Sequence, residues 1–367
     1  MSWRPRAAIA LAAVLLAGCV TSTAAPEPPV ATPSTPSPTS SPGTPGTPGT
    51  PGTPGTPGTV HLTAAGDYGV DPVASGRVLT ALGRVGQDAH LALGDLSYGK
   101  PGQEEAWCDF VTARTRPGLP FELLSGNHES NGENGSIDAF TACLPNRLPG
   151  LVGQYGREYY VDLPQQDPVV RVVLVSPALT FPDGTWDYSA GSEHYAWTER
   201  AIDGARAAKI PWVVVGMHKP CLSLGKYSCD IGPDLLHLLV AKHVDLVLSG
   251  HEHLYQRTAQ LAEGSACTRI AIGSYLPGCV VDRGTSLAAG AGTVLVGVGT
   301  GGGLPSPVRA TDPEAGYFAA SAGAGSTPDP YGYLDLRATA GDLRATFVRS
   351  DGSTGDAFAL RHGATAP

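Results

Sequence analysis

The chain has 367 residues, of which 42% are hydrophobic and 16% charged, a balance typical of a globular protein and too apolar for global disorder. A net charge of −9 and the lack of any basic run argue against nucleic-acid binding, so we expect a small-molecule partner. An anionic small molecule would need local positive charge, and because no basic run in the sequence supplies it, we expect bound metal ions.

Residues 1–18 have the pattern of a lipoprotein signal peptide. Arg4 and Arg6 precede an apolar run, and Leu16-Ala17-Gly18-Cys19 has the small residues and the cysteine of a lipobox. An ordinary secretory signal or a retained transmembrane anchor is the alternative, but the run is short for a bilayer-spanning helix. We therefore expect Cys19 to be acylated and the protein to be extracytoplasmic, lipid-anchored at the bacterial cell surface, with no other membrane contact.

Residues 19–59 predict a lipidated cysteine followed by a Pro/Thr/Gly-rich linker. The segment ends in six Pro-Gly-Thr triplets and has almost no charge, so it has nothing to bury and is expected to be disordered. A collagen triple helix is the alternative, but six triplets are few for that structure. We favour an extended spacer that precedes a catalytic domain over residues 60–361.

From residue 60 onward the sequence repeats a short apolar strand followed by a glycine-containing polar turn. Five such strands are predicted, at 60–65, 89–93, 121–124, 212–215 and 244–248. Helical segments between them imply an α/β fold with partly parallel sheets. The carboxyl ends of parallel strands meet at one edge of a sheet, so the five polar turns are expected to converge.

These five turns carry side chains that are able to bind metal ions. The donors are Asp67, Asp95, Tyr98, Asn127, His218, His251 and His253. Such oxygen and imidazole donors suit Fe, Zn or Mn, and seven of them are too many for one tetrahedral ion. Two ions that share one carboxylate would use them all. A single Gly-Asp turn is more often structural, but the ordered set predicts a metal site.

Six cysteines follow Cys19, and an even number in an exported chain favours three disulfides. Fifteen pairings are possible. Loop proximity favours Cys221–Cys229 and Cys267–Cys279, which leaves Cys108–Cys143. A thiolate metal site is the alternative, but the chain contains no Cys-x-x-Cys pair.

The five turns together resemble those of the purple acid phosphatases, which are calcineurin-like metallophosphoesterases. The family's blocks GDxG, GDxxY, GNH(D/E), VxxH and GHxH match residues 66–69, 94–98, 126–129, 215–218 and 250–253. The resemblance implies a layered α/β/β/α sandwich with mixed sheets.

The resemblance also implies the role of each donor. Asp67, Asp95, Tyr98 and His253 would hold Fe(III), and Asp95, Asn127, His218 and His251 would hold a divalent ion, which is Fe, Zn or Mn. Asp95 would bridge the two ions. Many wider relatives have a histidine where this chain has Gly69, and the phenolate of Tyr98 is a hard, anionic replacement that favours Fe(III).

Two adjacent ions would lower the pKa of a bound water and present hydroxide for attack on phosphorus. We therefore expect an acid phosphatase that acts on phosphomonoesters of small molecules. A phosphodiesterase or nucleotidase at the same site is the alternative, followed by a non-catalytic, metal-stabilised binding module. His128 is the candidate that contacts the phosphate or protonates the leaving group, with orientation of a ligand as its alternative role. Glu129 is expected to support a ligand.

Other segments have weaker patterns. The loops at 132–136, 221–229 and 299–326 are expected to border the metal edge and to govern selectivity. His194 follows a helix cap at Ser192 and is expected to be a capping or surface residue, with catalysis as the alternative. A helix is predicted at 233–241, a hairpin at 331–339 and 343–350, and a last short strand at 357–360.

Overall fold

The computed structural model describes residues 58–69 and 71–366. The predicted signal peptide, Cys19 and nearly all of the linker lie outside these residues. Among the residues described, no helix combines the length and the apolar character needed to cross a bilayer.

Within residues 58–69 and 71–366, two large sheets and six α-helices form the fold. The strands are β1 (Thr59–Ala65), β2 (Ala89–Leu93), β3 (Phe121–Leu124), β4 (Val152–Gln154), β5 (Glu158–Leu163), β6 (Val170–Leu174), β7 (Thr180–Phe181), β8 (Gly184–Thr185), β9 (Trp212–Met217), β10 (Leu246–Ser249), β11 (Tyr255–Thr258), β12 (Gln260–Leu261), β13 (Val280–Asp282), β14 (Ser286–Ala288), β15 (Val294–Val298), β16 (Phe318–Ala322), β17 (Gly332–Thr339), β18 (Asp342–Arg349) and β19 (Thr354–Arg361). The helices are α1 (Pro72–Leu82), α2 (Glu104–Thr112), α3 (Asn127–Ser130), α4 (Ile137–Cys143), α5 (Glu193–Ala207) and α6 (Pro233–Ala241).

Both large sheets are mixed. One has the order β14-β19-β18-β17-β1-β2-β3, and the other has the order β16-β11-β15-β10-β9-β6-β5-β4. Strands β1, β2 and β3 are parallel, as are β6, β9, β10 and β15. The predicted closing hairpin is present as β17 and β18, and the last predicted strand pairs with it as β19.

The sheets pack face to face, with helices on their outer faces. Alternate residues of β9 show this arrangement, because Trp212 and Val214 belong to the core between the sheets. Val213 and Val215 instead belong to the core under the helices, which also contains Ile202 of α5. Both faces of the strand are thus buried, as expected for a parallel sheet covered by helices. The predicted layered α/β/β/α sandwich with mixed sheets is confirmed.

Local sequence signals set the ends of the helices. Asp71 caps α1 by accepting a hydrogen bond from the backbone nitrogen of Val73, and Pro72 occupies the first turn. Ser192 caps α5 in the same way through Tyr195. Helix α6 begins at Pro233 and ends at Ala241, as the sequence predicts.

Three disulfides join the six cysteines of the described domain. They are Cys108–Cys143, Cys221–Cys229 and Cys267–Cys279, and this pairing confirms the one predicted from loop proximity. The bond between Cys221 and Cys229 closes a loop that returns to the polar edge of the sheets.

Candidate metal centre

The seven predicted donors meet where the carboxyl ends of parallel strands from both sheets come together. They follow β1, β2, β3, β9 and β10. Four of them have a positive φ angle, which residues other than glycine adopt rarely: Asp67 (61°), Asp95 (51°), Tyr98 (50°) and His251 (68°). Strained backbone that clusters in this way is typical of a functional site.

One carboxylate oxygen of Asp95 and two further donors surround the hydroxyl oxygen of Tyr98. The hydroxyl oxygen of Tyr98 lies 2.9 Å from Asp95 Oδ2, 3.2 Å from Asp67 Oδ1 and 2.9 Å from His253 Nε2. His253 Nδ1 donates to the backbone oxygen of Leu304, so the neutral ring presents a lone pair at Nε2. One hydroxyl proton therefore faces three acceptors.

The second carboxylate oxygen of Asp95 and two further donors surround Nε2 of His218. His218 Nε2 lies 3.2 Å from Asp95 Oδ1, 3.2 Å from Asn127 Oδ1 and 3.2 Å from His251 Nδ1. His218 Nδ1 donates to the backbone oxygen of Leu93, which leaves the Nε2 lone pair directed at these atoms. Asp95 thus lies between two separate groups of lone pairs.

These side chains fit metal ions. Donors of Asp95, His218 and His251 lie within 4.8 Å of one another, and all three residues are buried. His251 Nε2 is buried and has no hydrogen-bond partner among the described residues. Buried lone pairs that converge without enough protons are costly unless a cation binds them. Histidine ligands also commonly donate the other ring N–H to a backbone carbonyl, as His218 does here.

The pKa values in the site reflect the same shortage of positive charge. Burial lowers the pKa of His218, but the carboxylate of Asp95 outweighs it and raises the value to about 9. Burial and the neighbouring His218 lower the pKa of His251 to about 2. Burial and the charges of Asp67 and Asp95 raise the pKa of Tyr98, so a phenolate at this position requires a nearby cation.

Glu129 lies behind the donors. Its carboxylate accepts hydrogen bonds from the backbone nitrogens of Gly126 (2.6 Å), Asp95 (3.0 Å) and Leu96 (3.3 Å). The side chain thereby ties the turn after β2 to the start of α3. That this side chain supports a metal ligand stays a prediction.

His128 lies at the rim of the site, with about 27% of its side chain exposed. Its Nδ1 lies 2.5 Å from Asn134 Oδ1, and Asn134 Nδ2 donates to the backbone oxygen of Gly99, which fixes the orientation of the amide. His128 Nδ1 therefore carries the proton, and Nε2 lies 3.7 Å from Asp95 Oδ2.

Two supporting contacts were not predicted residue by residue. The ring of Tyr227 stacks on that of His251, with centroids 4.0 Å apart. A Cβ atom at Gly303 would lie 2.8 Å from the ring of His253, so only glycine fits there without a shift. Their loops, 221–229 and 299–326, were expected at this edge. The individual contacts depend on loop conformation, which carries no local sequence signal.

His194 differs from the expected capping or surface residue. Its ring stacks on Trp186, with centroids 4.2 Å apart, and on Tyr188. Its Nδ1 lies 2.9 Å from Glu158 Oε1. The aromatic neighbours come from the segment between β6 and α5, so helical periodicity alone does not reveal them. Ser192, two residues earlier, provides the helix cap.

Residues 65–255 match the family model described as Calcineurin-like phosphoesterase. The chain is 31% identical over 270 residues to an uncharacterized protein of Mycobacterium tuberculosis, covering 67% of this chain and 48% of that one. It is 24% identical over 191 residues to the Fe(3+)-Zn(2+) purple acid phosphatase 12 of Arabidopsis thaliana, covering 47% of this chain and 38% of that one. The chain therefore spans about half or less of the length of these relatives.

A solved structure has a similar fold. The purple acid phosphatase PPD1 from seeds of yellow lupin (Lupinus luteus) superimposes with a TM-score of 0.59 at 19% identity, covering 84% of this chain and 55% of that one. This similarity concerns the arrangement of the sheets and helices.

Proposed function

The chain belongs to the calcineurin-like phosphoesterase family, and we propose that it is a binuclear, metal-dependent acid phosphatase that hydrolyses phosphomonoesters. Purple acid phosphatases are among its relatives in sequence and its neighbours in fold, which supports this choice within the family. The substrate is then a phosphorylated small molecule.

The arrangement around Asp95 carries the proposal. Its two carboxylate oxygens face different groups of donors, each with an imidazole Nε2 lone pair 2.9–3.2 Å from its neighbours. Asp67, Asp95, Tyr98 and His253 would hold Fe(III). Asp95, Asn127, His218 and His251 would hold a divalent Fe, Zn or Mn ion. The name of the Arabidopsis relative supports an Fe–Zn pair.

When bound, such ions supply a polarised water molecule as the attacking group and positive charge for the phosphate oxygens. The side chains of the protein hold the geometry. Glu129 fixes the backbone of Asp95, and the carbonyls of Leu93 and Leu304 fix the tautomers of His218 and His253. The donors are thereby oriented before a substrate arrives.

His128 is placed to act on the leaving group. Its Nδ1 proton is held by Asn134, so a second proton can be carried only at Nε2, which faces the site. As an imidazolium, His128 would donate that proton to the leaving oxygen of the substrate. In its alternative role, the neutral ring would only orient Asp95.

Metal analysis combined with an absorption spectrum and parallel turnover assays tests the proposal. We expect about two metal ions per chain, as seven donors around one bridging carboxylate imply, and faster hydrolysis of 4-nitrophenyl phosphate than of bis(4-nitrophenyl) phosphate. Faster diester hydrolysis would favour the phosphodiesterase alternative. A metal-loaded protein that turns over neither compound would contradict the assignment as a phosphatase and favour a binding module.

We also propose that the protein is attached to the outer face of a bacterial membrane through a lipid on Cys19. The lipobox at residues 16–19 and the long linker, in which Glu27 is the one charged residue, support this location. Replacement of Cys19 by serine should move the protein from the membrane fraction to the soluble fraction. A protein that remains in the membrane after this substitution would contradict a lipid anchor.

A further inference from the structure

One exposed face of helix α1 carries two arginines. Arg77 and Arg84 are seven residues apart, which places them two helical turns apart on the same side, with Arg84 just beyond the helix cap. Val73 lies one turn before Arg77 on this side and is 69% exposed. The opposite side of the helix, with Val78 and Leu82, is buried in the core.

A third arginine approaches the same face from the end of α2. The guanidinium of Arg114 lies 3.8 Å from the centroid of the Phe110 ring and donates to the backbone oxygen of Phe110. A Cβ atom at Gly76 of α1 would lie 3.2 Å from Arg114 Nε, so the missing side chain makes room for the guanidinium. A glycine inside a helix costs about 1 kcal/mol relative to alanine, which must be offset by other interactions.

The three arginines line a groove of about 480 Å³, called here the arginine groove and defined by Arg77, Arg84 and Arg114. Among the described residues, no carboxylate lines it. Within residues 58–69 and 71–366, the side chain of Arg84 has no hydrogen bond or ion pair. Arg77 forms an ion pair with Asp329 at 3.4 Å, and both side chains are half-exposed. Ion pairs with this exposure contribute little to the stability of the fold. In a chain with a net charge of −9, this groove is a local concentration of available positive charge.

A second groove, of about 330 Å³, lies beside the arginine groove and is lined by Ser97 and Gly99, the neighbours of Tyr98 in the chain. Pro72 lines both grooves, and Phe110 lines the second groove while its ring supports Arg114. At its other end the second groove is lined by Gly69, whose Cβ, if present, would lie 2.1 Å from the ring of Tyr98. The path therefore leads from Tyr98 along the start of α1 to the arginines.

The length of this path restricts the ligand. With a rise of about 1.5 Å per residue, Arg77 lies about 8 Å and Arg84 about 18 Å from Pro72 along the helix axis. A small phosphomonoester in the metal centre does not span that distance. Only an extended anion reaches both places. Guanidinium groups bind phosphate oxygens with two parallel hydrogen bonds, which makes phosphates the anions that suit this groove.

We propose that the arginine groove binds the distal phosphates of a linear phosphate chain while its terminal phosphate lies in the metal centre. This inference rests on the proposed phosphatase function and assigns its substrate class. In the reaction, the oxygen of water bonds to the terminal phosphorus and the P–O bond to the next phosphate breaks. The leaving phosphate oxygen keeps the electron pair, and the protons of the water pass to the products and the solvent. The products are inorganic phosphate and a chain that is one phosphate shorter.

Initial rates with linear polyphosphate and with 4-nitrophenyl phosphate test the role of the groove. Arg84→Ser is the informative variant, because the side chain of Arg84 is exposed and makes no hydrogen bond or ion pair within the described fold. We expect the KM for polyphosphate to rise about five- to tenfold, since one charge-assisted phosphate contact is lost. The kcat for polyphosphate and both constants for 4-nitrophenyl phosphate should stay unchanged. Arg84→Lys should restore part of the affinity.

Arg200→Ser is the matched control. Arg200 is exposed on α5, lines neither groove and, like Arg84, has no ion pair within the described part of the chain. Equal KM values for polyphosphate in the wild type, Arg84→Ser and Arg200→Ser would overturn the proposal. So would the same increase in KM for 4-nitrophenyl phosphate, because the groove would then not distinguish long from short substrates.

Calorimetric titration of the chelator-treated full-length protein with polyphosphate separates this proposal from the proposed function. We expect Arg84→Ser to weaken binding by the same factor as it raises KM. Polyphosphate binding that depends on Arg84, in a metal-loaded enzyme that hydrolyses neither substrate, would support the groove and overturn the phosphatase assignment. Binding of vesicles with anionic lipid that depends on Arg84, without any effect on polyphosphate, would overturn the groove as a substrate site.

Discussion

The ring of Tyr227 stacks on the imidazole of His251, with centroids 4.0 Å apart and planes inclined by 23°. The backbone nitrogen of Tyr227 donates to Glu252 Oε1 at 2.6 Å, and the disulfide between Cys221 and Cys229 closes the loop that carries the ring. The loop and the turn that carries His251 are thus held together at two points. Tyr227 is a positioning residue for a proposed metal ligand.

Replacement of Tyr227 by alanine should weaken binding of the divalent ion. Supporting contacts of this kind change metal affinity by about tenfold or more, because the free ligand becomes mobile. The measurement is the concentration of chelator needed to remove half of the divalent metal. Tyr227→Phe keeps the ring and should behave as the wild type. Equal metal retention in the alanine variant would show that stacking does not position His251.

Replacement of Tyr98 by phenylalanine should remove the visible absorption of the protein. A phenolate bound to Fe(III) gives a ligand-to-metal charge-transfer band, and phenylalanine has no oxygen to bind the metal. We expect concentrated wild-type protein to be coloured and the variant to be bleached, as recorded in absorption spectra at equal iron content. A colourless but fully active wild type would indicate Zn or Mn instead of Fe(III) on this side.

Replacement of His128 by alanine should leave both metals bound but lower kcat. If Nε2 protonates the leaving oxygen, the loss should be larger for alkyl phosphates, which have poor leaving groups, than for 4-nitrophenyl phosphate. General acid catalysis contributes about 10²- to 10⁴-fold, which sets the scale expected for alkyl phosphates. Asn134→Ala, which frees His128 Nδ1, should produce a smaller loss of the same kind. Equal losses for good and poor leaving groups would instead indicate that His128 orients Asp95.

The sequence predicted the parts of this molecule that are encoded within a few residues. Each strand and its polar turn are adjacent in the chain, so Asp67, Asp95 and Asn127 could be placed at strand ends without knowing the order of the strands. Helix α6 also carries its own signals, a proline in its first turn and a continuous apolar stretch. Such features depend on local propensity and periodicity.

Several features that depend on the pairing of distant segments were not predicted. Strand β15 lies between β10 and β11 in the sheet although it follows both in the chain, and nothing in its five residues specifies that place. The stacking of Tyr227 on His251 and the approach of Arg114 to Gly76 likewise join segments that are far apart in sequence. Their positions follow from the packing of the whole domain and from one disulfide.

Glu122, in the middle of β3, provides a pH-dependent test of the packed core. Its side chain is fully buried, Oε1 accepts a hydrogen bond from the backbone nitrogen of Arg147, and Oε2 has no hydrogen-bond partner within the described residues. Burial raises the pKa of Glu122 from 4.5 to about 7. The folded state therefore holds this proton more tightly than the unfolded state does.

The sign of the effect follows from that difference. The stabilising contribution of protonated Glu122 is complete below pH 4.5 and is lost as the pH rises to about 7. With 1.36 kcal/mol for each pKa unit, the loss is about 3 kcal/mol. Glu122→Gln keeps the shape of the protonated side chain but has no charge. Its free energy of unfolding, relative to the wild type, should therefore rise by about 2–3 kcal/mol between pH 5 and pH 8.

Urea unfolding of metal-saturated protein at both pH values measures this change. Glu133→Gln, at an exposed position, serves as the control. Its free energy of unfolding should change with pH in the same way as that of the wild type. If the free energy of unfolding of Glu122→Gln also changes with pH as that of the wild type does, the pKa of Glu122 lies near its ordinary value of 4.5 and its buried oxygen is hydrated.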